Sequence, residues 1–435
     1  MADSNPVLRR LSSESSVSKA DAVVIGGGVI GLSTAFELAS RGMLVVLVEG
    51  NKVGSAQSMR NWGFVRQQGR APEELPLMIE ANRKWRELEK KLDFDIEWLQ
   101  GGNLRLTNSP QRAEEYRRWI DMARSFGLDS KIASPAEIDQ IIPGFQGKYL
   151  MGIVTPSDGQ ANPIKVVAAY LRRLRNLGVE VYEDFPVDAI VTAAGRVVGV
   201  QSKDTFLATP IVVVAAGVGS GALLKGVGVD LPVQFVRQTV ALTTVVPSFT
   251  QACVWTGEIG FRQARSGNVV LSTGGRGDVK IDAGTIRSLM SVTHFRHSAS
   301  MYWKNREYLR IHPYELLQVF RGEQRNNDYA PNYEDIENSI RVIRSYFPNF
   351  DWDVTLAWTG TIDGTPDALP VIDTSARPTG LVIATGMSGH GFGIAPAIGD
   401  VVANLVIHGE SHFDLSAFRI ERFQDGTVKN PHHLL

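Results

Sequence analysis

Four apolar residues, AVVI at 22–25, run straight into GGGVIG at 26–31 and then into a helical stretch. In that stretch Ile30, Ala35, Leu38 and Ala39 share one face, and Gly42 marks its end. A second apolar run follows at 44–48 and closes on Glu49. This order predicts a βαβ unit of a parallel sheet. The glycine spacing, G-x-G-x-x-G, gives each glycine a task. Gly26 permits a tight turn, Gly28 lets a pyrophosphate approach the backbone, and Gly31 lets helix and strand pack closely. The helix start at Val29 and Ile30 turns free N–H groups and a positive dipole end toward the phosphates. Glu49, 18 residues beyond Gly31, is placed to accept hydrogen bonds from a ribose 2′-hydroxyl and would repel a 2′-phosphate. The unit predicts a dinucleotide site.

A second glycine cluster stands near the other end of the chain. An apolar strand at 381–384 leads into TGMSGHGFGIAPAIGD, and a helix is expected at 401–408. A second helix N-terminus would stabilise negative charge on a reduced flavin ring. One cofactor with a pyrophosphate at one end and a flavin at the other needs both turns, which selects FAD over NAD. Between the clusters, Met78, Ala81, Trp85, Leu88 and Leu92 recur at helical spacing. A further helix is expected at 166–177, paired strands at 187–200 turning at Gly195, and a buried strand at 211–216. Strands and helices alternate, so the fold class is α/β.

Composition narrows the function. The 435 residues carry a net charge of −1 with no long basic block, which argues against nucleic-acid binding. The single cysteine, Cys253, excludes an internal disulfide framework and a cysteine zinc cluster, so no metal site is expected. It fits a reducing compartment, and the expected location is cytoplasmic. No apolar run reaches the length of a membrane span. Residues 1–20 are polar and serine-rich and read as a disordered tail. The stretch 276–335 is dense in Arg, His and Tyr and reads as an insertion: a lid, a contact for a homo-oligomer, or a plain surface decoration.

With these pieces in order, the sequence resembles the D-amino acid oxidase superfamily of flavoproteins, in the glycine oxidase and sarcosine oxidase branch. The matching stretches are VVIGGGVIGLSTAFELASRG, SMRNWGFVR, SPAEIDQIIPG, DGQANP, VVVAAGVGS, TPDALPVI, ATGMSGHGFGIAP and FRIERF. The resemblance implies a two-domain α/β flavoprotein. A Rossmann-like FAD domain would be assembled from 21–92, 151–230 and 364–425, and a substrate domain with a mixed sheet from 93–150 and 231–363. It implies that Ser58, Arg60, Asn61 and Gly63 pass beside the flavin and that Val187 presents its backbone to the adenine. Ala216 and Gly217 would line the cofactor, and Gly389, His390, Gly391 and Phe392 would sit at the pyrimidine edge of the ring.

Relatives of this kind oxidise the C–N bond of an amine or amino acid. Hydride passes to flavin N5 and the resulting imine hydrolyses. Oxygen or another acceptor then takes the electrons. The substrate clamps are where this sequence departs from the pattern. Ile362, in WTGTIDGTPD, stands where glycine oxidases carry an arginine. Gly393 stands where monomeric sarcosine oxidases carry a lysine. Arg66, which closes NWGFVR, and Arg262, in GFRQ, are the alternative cations, and either suits a bidentate carboxylate contact. They join Trp358, Thr361 and His390 as the candidate catalytic set, His390 with a backbone and packing role. Tyr302, Tyr308 and Arg310 are the candidate lid residues for a polar or anionic substrate. No histidine occurs before His294, so FAD is expected to be held noncovalently. An alcohol or polyol-phosphate dehydrogenase and a non-catalytic flavoprotein that binds partners are the alternative readings.

Overall fold

The computed structural model describes residues 20–273, 278–279, 330–375 and 377–429. The serine-rich tail and the lid residues Tyr302, Tyr308 and Arg310 lie outside them, as does most of the 276–335 insertion.

Two sheets organise the described chain. The first has six strands in the order Val371–Thr374, Leu381–Thr385, Val212–Val214, Ala22–Ile25, Val45–Val48 and Glu180–Tyr182. All neighbours are parallel except the edge strand Val371–Thr374. The central strands read VVV, AVVI and VVLV because both of their faces are covered. On one face lie the helices Val29–Ser40, Leu75–Leu92, Pro163–Asn176 and Gly391–His408, whose apolar residues share one core cluster with Val24, Leu47 and Val213. A three-stranded antiparallel sheet, Ala189–Ala193, Arg196–Ser202 and Thr205–Ala208, contributes Ile190, Val200 and Leu207 to the cluster on the other face.

The second sheet is mixed and antiparallel for most of its length. Its long strands Gln234–Val245 and Val354–Gly364 pair along their whole run. Helix Tyr333–Tyr346 lies against it through Ile336, Ile340 and Ile343. Strand Met151–Thr155 pairs with Asn103–Thr107 in this sheet, so the second sheet reaches past the domain boundary expected at 151. Val154 is buried in that core beside Leu104 and Leu106, which fixes the strand there.

One expected element is longer in the structure. The helix placed at 401–408 begins at Gly391 and runs 18 residues, with Pro396 inside it. Glycine and proline in its first turns argue against a helix by propensity. Burial decides otherwise, because Phe392, Ile394, Ala395, Ile398 and Val401 all enter the core. By length and composition this helix is also apolar enough to cross a membrane, which overturns the expectation that no run reaches that length; most of it is buried inside the protein.

Candidate active site

Parallel neighbours end at the same edge of a sheet. Strand Ala22–Ile25 ends in the turn at Gly26, Val212–Val214 in Ala216 and Gly217, and Leu381–Thr385 in the turn at Gly386. The two glycine clusters, far apart in sequence, therefore open side by side. The helices that follow them pack together closely. A side chain at Gly399 would meet Ser33 Oγ at 2.3 Å, and one at Gly391 would lie 3.9 Å from Ile30 Cδ1. Early residues meet early residues and later meet later, so both helix N-termini point to the same end. This is the crevice beyond the strand ends where open α/β sheets bind their ligands.

The first turn is cut to hold backbone near a phosphate. Gly26 has φ +113, and a Cβ there would stand 2.3 Å from Ala215 O. A Cβ on Gly31 would stand 1.9 Å from Gly26 O. Val29 N donates to Ser58 Oγ at 2.8 Å, which brings the loop at Ser58 onto the helix N-terminus. Glu49 accepts from Gly27 N at 2.7 Å and from Asn51 N at 2.9 Å, so its carboxylate sits at the rim of the glycine turn. Phe185 N donates to Glu49 O at 2.8 Å, which holds the half-buried segment of Val187 near the same rim. A side chain on Gly217, with φ +51, would meet Gln57 Oε1 at 2.6 Å. These glycines and the converging helix N-termini fit a dinucleotide with a pyrophosphate, with the Val29 N–H already given to Ser58.

The second turn is held from the other sheet. Gly386, Ser388 and Gly389 all have positive φ, which is costly for Ser388. Asp363, at the end of strand Val354–Gly364, fixes this turn. Its Oδ2 accepts from Gly386 N at 3.1 Å and its main-chain O from Ser388 N at 3.3 Å. Burial pushes the Asp363 carboxyl up to about 6, against the main-chain donors that favour its charge. A carboxyl raised in the folded state stabilises most below its unfolded pKa and loses that contribution as pH climbs through the folded value. Relative to Asp363→Asn, the wild-type protein is therefore expected to lose about 3 kcal/mol of stability between about pH 4 and pH 7. Denaturant titrations of both proteins at several pH values check this.

The loop between the sheets carries most of the remaining candidates. Arg60 Nε donates to Ser55 O at 2.9 Å and its Nη1 to Thr359 O at 3.1 Å. Trp358 Nε1 donates to Arg60 O at 2.8 Å. Asn61 Oδ1 accepts from Gly63 N at 2.7 Å. Ala56, Gln57, Arg60, Val218 and Thr361 line one small cavity, which brings Thr361 to the loop. Ile362 lies against the second turn, with its Cδ1 3.6 Å from where a Gly389 side chain would begin.

The two candidate cations have different surroundings. Arg262 is buried, and its Nε donates to Trp62 O and its Nη1 to Gln160 Oε1 at 2.9 Å. Its guanidinium ties the loop at Trp62 to the second sheet. Arg66 is half-buried, and its Nη1 donates to Gln68 O at 2.8 Å. Burial first, then the nearby Arg70 and Arg105, hold its pKa well below the usual arginine range.

His390 caps helix Gly391–His408 with its backbone, and its ring is buried. Nδ1 lies 3.0 and 2.9 Å from the two oxygens of Glu74, a fully buried carboxylate that precedes helix Leu75–Leu92. Burial, then the nearby Arg70, pull the His390 pKa down to about 4, so the ring is neutral and Nδ1–H donates to Glu74. Phe392 packs on Trp85 with ring centroids 5.1 Å apart. Trp85 Nε1 also donates to Gly393 O at 2.8 Å. Glu74, Arg70 and Asp363 were not singled out from sequence. Arg70 closes RQQGR only four residues past Arg66, and that spacing was the available signal.

The comparisons agree with this geometry. The human mitochondrial sarcosine dehydrogenase (Homo sapiens) is 25% identical over 432 residues, 95% of this chain and 42% of that protein. The chain thus spans well under half the length of that relative. Glycine oxidase from Geobacillus kaustophilus is 25% identical over 415 residues, covering 92% of this chain and 97% of that enzyme. Among solved structures, L-amino acid deaminase from Proteus myxofaciens in complex with anthranilate superimposes with a TM-score of 0.84 at 23% identity, over 94% of this chain and 95% of that one. L-proline dehydrogenase from P. horikoshii gives 0.79 at 23% identity, over 94% and 99%. These two likenesses establish the fold. The family description "DAO: FAD dependent oxidoreductase" matches residues 21–405, nearly the whole described chain. The chain belongs to the DAO family of FAD-dependent oxidoreductases.

Proposed function

We propose that this protein oxidises the C–N bond of an amino acid or secondary amine, with FAD bound noncovalently between its two glycine turns. The observation that carries the reading is the convergence of both turns, with two parallel helix N-termini, at one edge of the six-stranded sheet. The family match over residues 21–405 supplies the cofactor. The relatives' names supply the reaction class, through sarcosine dehydrogenase, glycine oxidase and L-amino acid deaminase.

FAD bound there supplies a two-electron acceptor for hydride from the substrate carbon. Gly26, Gly28, Val29, Ile30 and Gly31 hold its pyrophosphate, and Glu49 its ribose. Ser58, Arg60, Asn61 and Gly63 keep the loop beside the ring, and Val187, Ala216 and Gly217 line the rest of the cofactor. Gly389, His390, Gly391 and Phe392 present main chain and a helix dipole to the pyrimidine edge, where negative charge is favoured. Trp358 and Thr361 join the second sheet to the loop at Arg60, which would stand beside the ring. Arg66, with one guanidinium nitrogen committed to Gln68 O, is better placed to take a ligand than Arg262, which serves Trp62 and Gln160. Orientation of a neutral amine in a dry site supplies the rest, without a strong base. Noncovalent attachment is supported by Cys253, which is buried with its Sγ 3.5 Å from Gly159 O.

Anaerobic mixing of the FAD-loaded protein with D- and L-amino acids, N-alkyl amino acids and polyamines tests the reading. Rapid bleaching of the flavin by one amine class is the expected result. Full FAD occupancy with no bleaching by any amine would overturn it.

A further inference from the structure

Asp363 is 5% exposed and stands next to the end of strand Val354–Gly364, against the second glycine turn. It grips that turn twice, Oδ2 accepting from Gly386 N at 3.1 Å and the main-chain O from Ser388 N at 3.3 Å. Its Oδ1 lies 3.5 Å from Gln57 Nε2. Gln57 also lines the small cavity shared with Arg60, Val218 and Thr361, so one amide separates the carboxyl from a water-sized space.

All of these partners are uncharged. Two other buried carboxylates near the turn have cations at hand. Arg70 Nε stands 4.0 Å from Glu74 Oε1, and Arg422 grips Asp367. Asp363 forms no ion pair among the described residues. The charged and titratable groups on the elements packed around it are Arg60, His390, Asp367 and Arg237. Arg60 serves Ser55 O and Thr359 O, the His390 ring serves Glu74, and Asp367 serves Arg422. Arg237 stands opposite Thr361 on the paired strand.

A carboxylate out of water with only neutral donors keeps its charge at a cost, and burial raises this one to about 6. A second negative charge beside it raises the cost further. Reduction of the flavin supplies that charge. Asp363 holds the turn that opens helix Gly391–His408, whose N-terminus is proposed to favour negative charge on the pyrimidine edge. One helix end then serves two anions.

We infer that Asp363 is a positioning residue for the flavin end, which takes up one proton as the ring gains charge and returns it on reoxidation. This step rests on the placement of FAD under the proposed function. The protons and electrons balance without a further reagent. Hydride brings the ring two electrons and one proton and leaves one negative charge on it. Asp363 takes its proton from water and releases it when the acceptor removes the electrons.

The test is anaerobic photoreduction of the FAD-loaded protein with a pH-indicator dye, compared between wild type and Asp363→Asn. Wild type is expected to take up about one more proton per flavin than the variant at about pH 7.5. At about pH 5 the surplus should vanish, because the carboxyl already carries its proton before reduction. Equal uptake at the higher pH overturns the inference, and so does a surplus that persists undiminished at the lower one. Asp373→Asn removes a carboxyl also raised to about 6, which serves Ile420 N rather than the second turn. It should keep the wild-type surplus, and loss of the surplus there overturns the assignment to Asp363. If Asp363→Asn does not retain FAD, the infrared difference spectrum of wild type is read alone. A protonated-carboxyl band that appears on reduction at about pH 7.5 and not at about pH 5 supports the inference, and its absence at both overturns it. Light replaces the substrate here, so the two readings fail separately. Proton uptake that depends on Asp363 in a protein that no amine reduces would keep the coupling and sink C–N oxidation. Bleaching by an amine with equal uptake in wild type and Asp363→Asn would do the reverse.

Discussion

Gly31→Ala is expected to abolish FAD retention. The new methyl would stand 1.9 Å from Gly26 O, a main-chain atom with no room to retreat, because a side chain on Gly26 would itself meet Ala215 O at 2.3 Å. Helix Val29–Ser40 must therefore move off its strand, carrying away the N–H groups that would face the pyrophosphate. Overpacking of this kind costs about 3 kcal/mol or more, which is at least ~100-fold in cofactor affinity. The flavin-to-protein ratio after gel filtration measures the effect. Gly42→Ala is the matched control. It also adds a methyl at positive φ, +87, yet meets nothing within 4 Å. It should lower stability by about 1 kcal/mol and leave FAD bound.

Arg422→Leu is expected to destabilise the protein by about 3–5 kcal/mol. Arg422 is 1% exposed and Asp367 3%. Arg422 Nε donates to Asp367 Oδ2 at 2.8 Å and Nη2 to Oδ1 at 3.0 Å, a bidentate pair. Nη2 also reaches Leu369 O at 2.9 Å and Nη1 reaches Arg419 O at 2.9 Å. Removing the guanidinium strands a carboxylate in the interior, which is the costly half of breaking such a pair. Arg422→Leu combined with Asp367→Asn should recover part of the loss, because no unpaired charge remains. Denaturant unfolding of the two single variants and the double variant gives the coupling directly. A single-variant loss below about 1 kcal/mol would mean that the pair is solvated.

These two sites differ in how far the sequence announced them. The glycine motif was legible because its constraint is local: a strand, a turn and a helix within 30 residues dictate where side chains cannot be. The pair of Asp367 and Arg422 was not. TPDALPVI and FRIERF each carried the family resemblance, yet nothing in either stretch says that one closes on the other. Helix Gly391–His408 shows a further limit. Its first turns contain Gly391, Gly393 and Pro396, and propensity places the start ten residues late, whereas burial on both sides imposes the helix. The buried charges around Arg70 were less visible. Arg66, Arg70 and Glu74 recur at a spacing of four in one segment, whereas Arg105 and His390 come from others, and only packing brings them together. The departures at Ile362 and Gly393 were legible in sequence as the absence of the two familiar carboxylate clamps.

The central strand Ala22–Ile25 has one partner close in sequence and one far away. During synthesis Val45–Val48 follows it soonest. Its other neighbour, Val212–Val214, comes much later, and the strand Leu381–Thr385 with the second glycine turn later still. A growing chain can thus hold one half of a cofactor site while the residues up to Leu381 are made. It cannot complete that site, because the closing wall has not yet been made. Cofactor capture in this sense requires that the chain has passed Gly391: a product that stops before Leu381 would carry the phosphate turn and leave the flavin end open, with apolar surface exposed where helix Gly391–His408 belongs.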